Sequence, residues 1–203
     1  MKNVISSFLA IAVMLTSAAE AGQTINGCQI KRRTNCPGFD LSGADLTRSN
    51  LASADLAGAN LSGADLSGDR ITEANLTGAN LHNAKLTGTD LSQTYMNNAN
   101  LSRANLAKAD LSQSTLSGAN LRDANLAGAK LLMANLKGAD LTGANATGAV
   151  FAMASLVGAN LSRVDLTGAT LIGADMRNAV LEGARLCRTT MPNRSINSSG
   201  CPK

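Results

Sequence analysis

Acidic side chains recur at intervals of twenty residues in two parts of the sequence, and this spacing is the first candidate for chemistry. The two series are Asp45, Asp65 and Lys85, and Asp90, Asp110 and Lys130. Retaining glycosidases use two carboxyl groups about 5–5.5 Å apart, one as nucleophile and the other as acid and base. These aspartates become a comparable pair only in a fold that brings residues twenty apart into contact.

Four cysteines lie near the ends of the chain as two pairs, Cys28 with Cys36 and Cys187 with Cys201. In an exported protein an even number of cysteines predicts disulfides, and pairing within each end is the simplest of the three connectivities. Zinc is the alternative. Neither pair has the C-x2-C spacing of common zinc sites, and the only histidine, His82, is distant from both, so we predict no metal site.

The first residues have the features of a secretory signal. An uncharged run from Val4 to Ala19 is followed by Glu20 and Ala21, which fits the small-x-small rule for signal peptidase. The run has about 16 residues, whereas a membrane-spanning helix needs roughly 20. We therefore predict a signal peptide at residues 1–21, a mature chain without a membrane span, and export to the periplasm or the medium.

The net charge of +4 arises from the two ends of the chain rather than from its body. Residues 34–193 contain 12 basic and 13 acidic residues, which gives a net charge of −1. A nucleic-acid binder usually combines a concentrated basic stripe with stacking aromatic side chains. Because the body lacks the stripe and only 2% of the chain is aromatic, we predict no nucleic-acid partner.

A five-residue repeat runs without insertion through residues 34–193 and comprises 32 consecutive pentads. Position 1 is small, position 2 is Asp or Asn in most pentads, position 3 is an apolar centre, position 4 resembles Ser or Thr, and position 5 resembles Gly. Leu occupies 25 of the centres, and Ala occupies position 1 in 23 pentads. The remaining centres are Cys36, Ile71, Met96, Ala146, Phe151, Met176 and Met191.

A period of five matches neither regular secondary structure. Leucines five apart would rotate by roughly 140° each around an α-helix and would alternate between the faces of a flat strand. All of them point inward only if the chain bends in the same direction in every pentad. Of the 19 glycines, 16 lie at position 5, where a bend favours a residue without a Cβ atom.

The repeat resembles the A(D/N)LXX pattern of the pentapeptide repeat family. The stretch ANLSGADLSG at residues 59–68 matches that pattern at almost every letter. The resemblance implies an all-β fold, a right-handed quadrilateral parallel β-helix of about 8 coils with four pentapeptides in each coil. With coils about 4.8 Å apart, the rod would be roughly 38 Å long.

The ends of such a rod are its weak points, because the terminal coils expose apolar centres and unpaired backbone groups. The cysteine pairs lie at these ends, so we interpret residues 22–33 and 194–203 as cap segments that flank the β-helix at residues 34–193. The tail CRTTMPNRSINSSGC also resembles the terminal segment of exported members of the family, which supports its role as a cap.

Stacking also makes residues twenty apart neighbours, and the two acidic series become columns. A flat outer face without an insertion offers no cleft that excludes water, so we predict no catalytic residue in these columns. His82 is expected to face solvent with no nucleophile beside it. Asp69 occupies a normally inward alanine position, and because a buried unpaired carboxylate is costly, we expect it to pair with Arg70 or with the backbone.

One region of the outer surface departs from the polar pattern on three successive coils. Its six apolar residues, in outward positions, are Leu132, Met133, Val150, Ala152, Met153 and Ile172. Exposed apolar patches commonly mark interaction surfaces, so we predict contact with a protein partner or with a second copy of the chain. Coverage of the patch by the C-terminal tail, or sequence drift on a tolerant surface, are the alternatives.

Together these features predict a non-enzymatic, exported structural or protein-binding module without cofactors. The family resemblance also raises a second possibility, because some members bind DNA gyrase by imitating duplex DNA with an acidic rod. Phosphate mimicry requires a dense negative field. The nearly neutral repeat body and the signal peptide disfavour this alternative.

Overall fold

The computed structural model describes residues 23–202, so the predicted signal peptide lies outside the described residues. Parallel β-bridges join position 2 of one pentad to position 2 of the pentad twenty residues later, from Asn35 through to Thr190. One coil therefore contains four pentads, and the 160 residues from 34 to 193 form 8 coils. This geometry confirms the predicted quadrilateral β-helix. None of the described residues belongs to a helix with the length and apolarity that a membrane crossing requires.

Two short hairpins flank the stack of coils. At the N-terminal end, β1 (Thr24–Ile25) pairs antiparallel with β2 (Cys28–Gln29). At the C-terminal end, β3 (Thr189–Thr190) pairs antiparallel with β4 (Ile196–Asn197). The chain thus leaves the five-residue pattern after the last coil and folds back over it.

The core is a continuous column of position 3 and position 1 side chains. The centres of the inner coils are fully buried, as are the alanines at position 1 that pack beside them. One coil contains both the smallest and the largest centre, Ala146 and Phe151, and each is 0% exposed. Since interiors are close-packed, a small and a large side chain on adjacent sides of one coil share the available volume.

Hydrogen bonds between coils account for three of the five backbone N–H groups in a typical inner pentad. In the pentad at 59–63, the N–H of Asn60 donates to Phe39 O in the coil below, at 2.9 Å. The N–H groups of Leu61 and Gly63 donate to the coil above at 2.7 and 2.8 Å. Parallel pairing therefore alternates downward and upward within each pentad, and every inner coil depends on both of its neighbours.

The other two N–H groups are satisfied within the coil. Ala59 N–H donates to Leu56 O at 3.0 Å and closes a four-residue turn at the corner. Ser62 N–H donates to the side-chain Oδ1 of Asn60 at 3.2 Å. Asp and Asn are the residues whose short polar side chains accept from the backbone two residues later, which explains their frequency at position 2.

Asparagines at position 2 of one side also bind each other across coils. In each contact an Nδ2 group donates to the Oδ1 atom of the residue twenty positions earlier. The donors of this ladder are Asn60, Asn80, Asn100 and Asn120, with distances of 2.9 to 3.2 Å. Each inner asparagine of the ladder therefore accepts a hydrogen bond within its own coil and also forms hydrogen bonds with the coils above and below.

Asp69 is the one place where an ionisable side chain enters the described core, with 4% exposure. Its Oδ1 accepts from Asn50 N–H at 2.9 Å, and its Oδ2 lies 2.8 Å from the Ser49 hydroxyl. The carboxylate takes the place of the bridge that the repeat would form between Asn50 and Arg70. The predicted backbone partner is thus present, whereas pairing with Arg70 was the wrong alternative because the inward carboxylate is nearer to the backbone of the coil below.

One disulfide at each end joins a cap segment to the adjacent coil. Cys28 is bonded to Cys36 and Cys187 is bonded to Cys201. The N-terminal bond attaches the β1–β2 hairpin beneath the first coil, where Ile30 is also buried. The C-terminal bond attaches the tail that carries β4.

Replacing Asn100 with Ala should destabilise the rod more than replacing Asn135 with Ala. Asn100 accepts from Ser102 and exchanges amide hydrogen bonds with both neighbouring coils, whereas Asn135 accepts only from Lys137 N–H. We expect a loss of about 1–3 kcal/mol for Asn100→Ala and about 1 kcal/mol or less for Asn135→Ala. Urea unfolding measures both, and equal losses would show that the ladder adds nothing.

Candidate functional site

The two predicted acidic columns are present in the structure. Parallel bridges join Asp45 to Asp65 and Asp65 to Lys85 on one side of the rod. On the next side they join Asp90 to Asp110 and Asp110 to Lys130. The lysines close the columns through exposed ion pairs, Lys85 Nζ to Asp65 Oδ2 at 3.2 Å and Lys130 Nζ to Asp110 Oδ2 at 3.5 Å.

The carboxylates of Asp45, Asp65 and Asp110 accept hydrogen bonds from backbone N–H groups two residues later in the chain. Hydrogen bonds from Thr47 hold the pKa of Asp45 below its ordinary value, and hydrogen bonds from Ser67 lower the pKa of Asp65. Partial burial acts to raise the pKa of Asp110, but hydrogen bonds from Ser112 and the nearby lysine outweigh it and the pKa is lowered. A general acid at neutral pH needs a raised carboxyl pKa, and Asp45, Asp65 and Asp110 have the opposite shift.

His82 has a hydroxyl neighbour that the sequence did not lead us to expect. Its Nδ1 lies 2.8 Å from Ser102 Oγ, and its Nε2 lies 2.9 Å from Asn83 Nδ2. The Ser102 hydroxyl itself donates to Asn100 Oδ1 at 2.7 Å. The serine proton is therefore directed at the asparagine ladder, so the imidazole is not placed to remove it as a general base would.

A shallow depression lies on the opposite side of the rod from the apolar patch, with a volume of about 570 Å³. Its lining is charged and polar, and Arg122 in the lining is paired with Asp140, with 2.8 Å between Nη1 and Oδ2. Binding pockets for small molecules are mostly apolar and bury most of their ligand. Within residues 23–202, no group of three or more His, Cys, Asp or Glu side chains has a metal-binding arrangement.

The six predicted patch residues lie on one side and its following corner, in three successive coils. Val150 is at position 2 of the side and pairs with Lys130 below and Thr170 above. The other five occupy corner positions 4 and 5. Met133 and Met153 are exposed, at 46% and 58%, whereas the remaining four side chains are half-buried. We call the column formed by Leu132, Met133, Ala152, Met153 and Ile172 the apolar corner.

The two methionines occupy a backbone conformation that disfavours them. Both have φ of 56°, in the left-handed region, where Gly, Asn and Asp are the favoured residues. An ideal Cβ atom on Gly173 would lie 3.5 Å from Met153 Cγ, so the Met153 side chain extends upward over the next coil. The same corner is polar two coils lower, where Gln93 Nε2 donates to Gln113 Oε1 at 3.1 Å.

The C-terminal tail lies over the end of the rod rather than over the apolar corner. Leu186 N–H donates to Ser199 O at 3.0 Å, and Arg185 Nε donates to Gly200 O at 3.1 Å. Met133 and Met153 stay exposed in the presence of this tail. Coverage of the patch by the tail is therefore the alternative that the structure contradicts.

Sequence reasoning missed other apolar side chains on the outer surface. Large exposed hydrophobic residues also occur at Tyr95, at Val180 in the last coil and at Ile196 in β4, with exposures of 53%, 47% and 71%. Val180 had a detectable signal, because it stands at a position 2 that Asn160 occupies one coil below. Ile196 had none, since it lies beyond the repeat.

The chain matches the family model described as pentapeptide repeats, in eight copies. The matched segments are residues 32–68, 74–113, 104–143, 119–152 and 154–191. No curated protein matches the chain.

Two solved structures illustrate the similarity. HetL, a pentapeptide repeat protein involved in heterocyst differentiation regulation from the cyanobacterium Nostoc sp. strain PCC 7120, is 34% identical over 82% of each chain, with a TM-score of 0.46. QnrB1, a plasmid-mediated fluoroquinolone resistance protein, is 15% identical over 77% of this chain and 76% of its own, with a TM-score of 0.66. The likeness to QnrB1 is one of fold.

The aspartates at position 2 should make the rod sensitive to acid. The pKa values of Asp45, Asp65 and Asp110 are lowered in the folded protein, so the folded state binds fewer protons than the unfolded state near pH 4. Their stabilisation is present above the ordinary carboxyl pKa of about 3.9 and is lost as the pH falls through the lowered values. Replacing Asp45, Asp65 and Asp110 with Asn keeps the turn acceptor and removes this titration.

The free energy of unfolding, measured in urea from about pH 5 to about pH 2.5, should therefore fall less steeply in the triple Asn variant than in the wild type. Parallel curves for the two proteins would mean that the position 2 carboxylates contribute nothing to acid sensitivity.

Proposed function

The chain belongs to the pentapeptide repeat family, and on that premise we propose that it is an exported, non-enzymatic module that binds another protein through the apolar corner. The observation that carries this proposal is the stacking of Met133 on Met153 at exposed positions with left-handed backbone. The rest of the patch extends this surface over three coils.

The two methionines oppose the stability of the isolated rod in two ways. A side chain larger than glycine in the left-handed region costs about 1 kcal/mol or more. An exposed thioether chain also gains little from the hydrophobic effect, because little of its area leaves water. Asn would remove both costs. Asn98 and Asn178 occupy the same position 5, with the same left-handed backbone, in other pentads. A binding role offsets them, because a partner would bury the side chains.

The β-helix supplies a rigid base for this surface. Ala152 O accepts from Met133 N–H at 3.0 Å, and Ile172 O accepts from Met153 N–H at 2.9 Å, so the corner backbone is fixed between coils. A preformed backbone lowers the entropy cost of binding. The methionine side chains remain adaptable, a property that suits contact with apolar surfaces of varied shape.

The size of the apolar corner indicates a modest affinity. Standard protein interfaces bury about 800 Å² on each partner, whereas five side chains along one corner offer a few hundred Å² by the same measure. Polar groups on the neighbouring sides, such as Asn135 and Lys130, would have to complete the contact. We therefore propose a reversible partner rather than a permanent subunit.

DNA mimicry is the weaker alternative on electrostatic grounds. A phosphate backbone presents closely spaced uncompensated charges. In this rod the carboxylates of Asp65 and Asp110 are each paired with a lysine, and those of Asp140 and Asp175 are paired with arginines. Such pairing replaces a continuous negative field with alternating charges.

Export is part of the proposal and rests on two features of the chain. Disulfides at both ends are typical of oxidising compartments. The uncharged run before Ala21 has the length and the cleavage site of a secretory signal. The periplasm and the external medium both meet these conditions.

Replacing Met133 and Met153 with Asn should abolish partner binding and leave the fold intact. Asn tolerates the left-handed backbone, so we expect the variant to be as stable as the wild type or up to about 1 kcal/mol more stable. The matched control replaces Gln93 and Gln113 with Asn at the same corner position two coils lower. Quantitative affinity capture from the exported fraction compares the proteins retained by all three forms.

A discrete partner held by the wild type and by the glutamine control, but lost at least tenfold by the methionine variant, is the expected result. The same set of proteins on all three forms would refute a role for the apolar corner.

The processed protein should begin at Gly22. Expression of the full chain in a bacterial host with separate periplasmic and cytosolic fractions, followed by N-terminal sequencing, measures both the destination and the cleavage site. A change of Ala21 to a bulky residue such as Phe should block cleavage, because signal peptidase requires a small residue there. A full-length chain that stays in the cytosol would contradict the export proposal.

A further inference from the structure

Tyr95 departs from the repeat in a way that the fold does not require. It stands at position 2, between Asn75 in the coil below and Thr115 in the coil above, where most pentads carry Asp or Asn. It is the only tyrosine in the sequence, which contains no tryptophan. Of the aromatic side chains within residues 23–202, Phe39 is half-buried and Phe151 is buried, whereas Tyr95 is 53% exposed.

The ring weakens the coil that carries it. In a regular pentad the side chain at position 2 accepts from the N–H group at position 4, as Asn135 accepts from Lys137 at 3.2 Å. No described group accepts from the N–H of Asn97, which follows the ring at position 4. Thr115 in the coil above is a second exception, because its Oγ1 atom is buried without a hydrogen-bond partner among the described residues. Departures from a local rule that bring no gain in packing are expected at functional sites.

Two glutamines occupy position 5 of the corner that precedes the ring. Gln93 Nε2 donates to Gln113 Oε1 at 3.1 Å, so the two amides lie side by side across neighbouring coils. An amide has two N–H donors and an oxygen acceptor. The pairing therefore leaves the oxygen of Gln93 as an acceptor and the nitrogen of Gln113 as a donor for a ligand.

Two asparagines occupy the corner that follows the ring. Asn97 is half-buried, and Asn98 is exposed at position 5 with φ of 56°. An ideal Cβ atom on Gly118 would lie 2.5 Å from Asn98 Oδ1, so this amide extends along the next coil. We call the ring of Tyr95 and the four amides on its two corners the tyrosine platform.

Hydroxyl groups beneath the surface fix the corner that carries the two glutamines. Thr94 and Ser114 stand at position 1, where Ala is usual, and their hydroxyls donate to Leu91 O and Leu111 O at 2.6 Å each. The same carbonyls accept from the backbone N–H groups of Thr94 and Ser114, at 3.3 and 3.2 Å. A backbone fixed in this way lowers the entropy cost of binding.

The tyrosine platform contains no charged side chain. On the same side of the rod, Asp55 and Lys137 are each two coils away from Tyr95. A nucleic acid would require cations that neutralise its phosphates, and the core of a protein interface would require more apolar area than one ring supplies. An uncharged surface of amides around one ring is complementary to an uncharged, hydroxyl-rich ligand.

We propose that the tyrosine platform binds a neutral polysaccharide. The face of the ring is partly negative and attracts the polarised C–H groups on one face of a sugar ring. The amides donate and accept hydrogen bonds, as sugar hydroxyls do. Residues 93–97 span at most about 13 Å across this side, at roughly 3.3 Å per residue, so a short run of sugar rings can lie flat on it.

A flat platform contacts only one face of each sugar ring, so the affinity for a single sugar is low. A polymer offers many equivalent sites to the same platform and raises the effective concentration of sugar beside it. The ligand is therefore a chain of sugars rather than a monosaccharide.

Tyrosine fluorescence of the oxidised protein reports on this site alone, because Tyr95 is the only tyrosine and tryptophan is absent from the sequence. The probes are a soluble glucan, a mannan, a galactan and chitin oligosaccharides, with polygalacturonate and single-stranded oligothymidylate as polyanions. At least one neutral probe should change the emission of Tyr95 and protect it from quenching by acrylamide. The two polyanions should leave both unchanged.

Substitutions assign the binding, measured as retardation in native gels that contain the bound polysaccharide. Tyr95→Asn installs the residue that Asn75 illustrates on this side, so the urea midpoint should not fall, yet binding should weaken at least tenfold. Tyr95→Phe keeps the ring and should retain binding. The matched control is Ser155→Asn, the same type of change three coils above, which should have no effect. Met133→Asn combined with Met153→Asn should also leave sugar binding unchanged, which separates this inference from the proposed function.

An unchanged Tyr95 emission with every neutral probe would overturn the inference. Equal retardation of the wild type and Tyr95→Asn would overturn it as well, because the ring would then be outside the contact. A response to the polyanions alone would have the same meaning, since recognition would then depend on charged residues beyond the tyrosine platform.

Discussion

The whole structure depends on parallel hydrogen bonding between coils that match each other residue for residue. In the inner pentads, apart from the one that contains Asp69, position 2 donates downward and positions 3 and 5 donate upward, as Asn60, Leu61 and Gly63 show. This pairing requires an identical number of residues per coil, so a single insertion would shift every later donor away from its acceptor. The requirement explains why 32 pentads follow one another without interruption.

The same constraint decides what the surface can do. A rod without insertions has flat sides, so polar residues form columns instead of clefts. The carboxylates of the acidic columns accept hydrogen bonds at the corners of the coil, and a lysine such as Lys85 pairs with one of them. The contact between His82 and Ser102 lies beside the asparagine ladder, because the Ser102 hydroxyl donates to Asn100. Catalysis needs convergent groups and exclusion of water, whereas binding needs only an exposed surface on a rigid base. The fold therefore favours recognition over chemistry.

Most of the fold, and the location of the apolar corner, could be predicted from the sequence because periodicity converts sequence distance into spatial distance. Residues twenty apart, such as Met133 and Met153, are neighbours wherever the period holds. Prediction was incomplete where the period was locally broken. Asp69 accepts a hydrogen bond from the backbone of Asn50 in the coil below, and the parallel bridge between Asn50 and Arg70 is absent. Residue spacing alone does not predict this rearrangement. The tail after residue 193 has no period at all, so the sequence did not predict that β4 folds back over the last coil.

The side and the end of a β-helix present different kinds of unsatisfied surface, and this difference decides what each can recognise. On the side, backbone groups are already paired between coils, so recognition there must come from side chains such as Met153, and any partner with a suitable apolar surface can compete for it. At the end, unpaired backbone donors and acceptors lie beside half-covered core residues such as Leu181. Only a partner that supplies a β-edge together with apolar side chains would satisfy both. Recognition on the side of the rod can thus be exchanged among partners, whereas recognition at the end would demand a matching backbone edge as well.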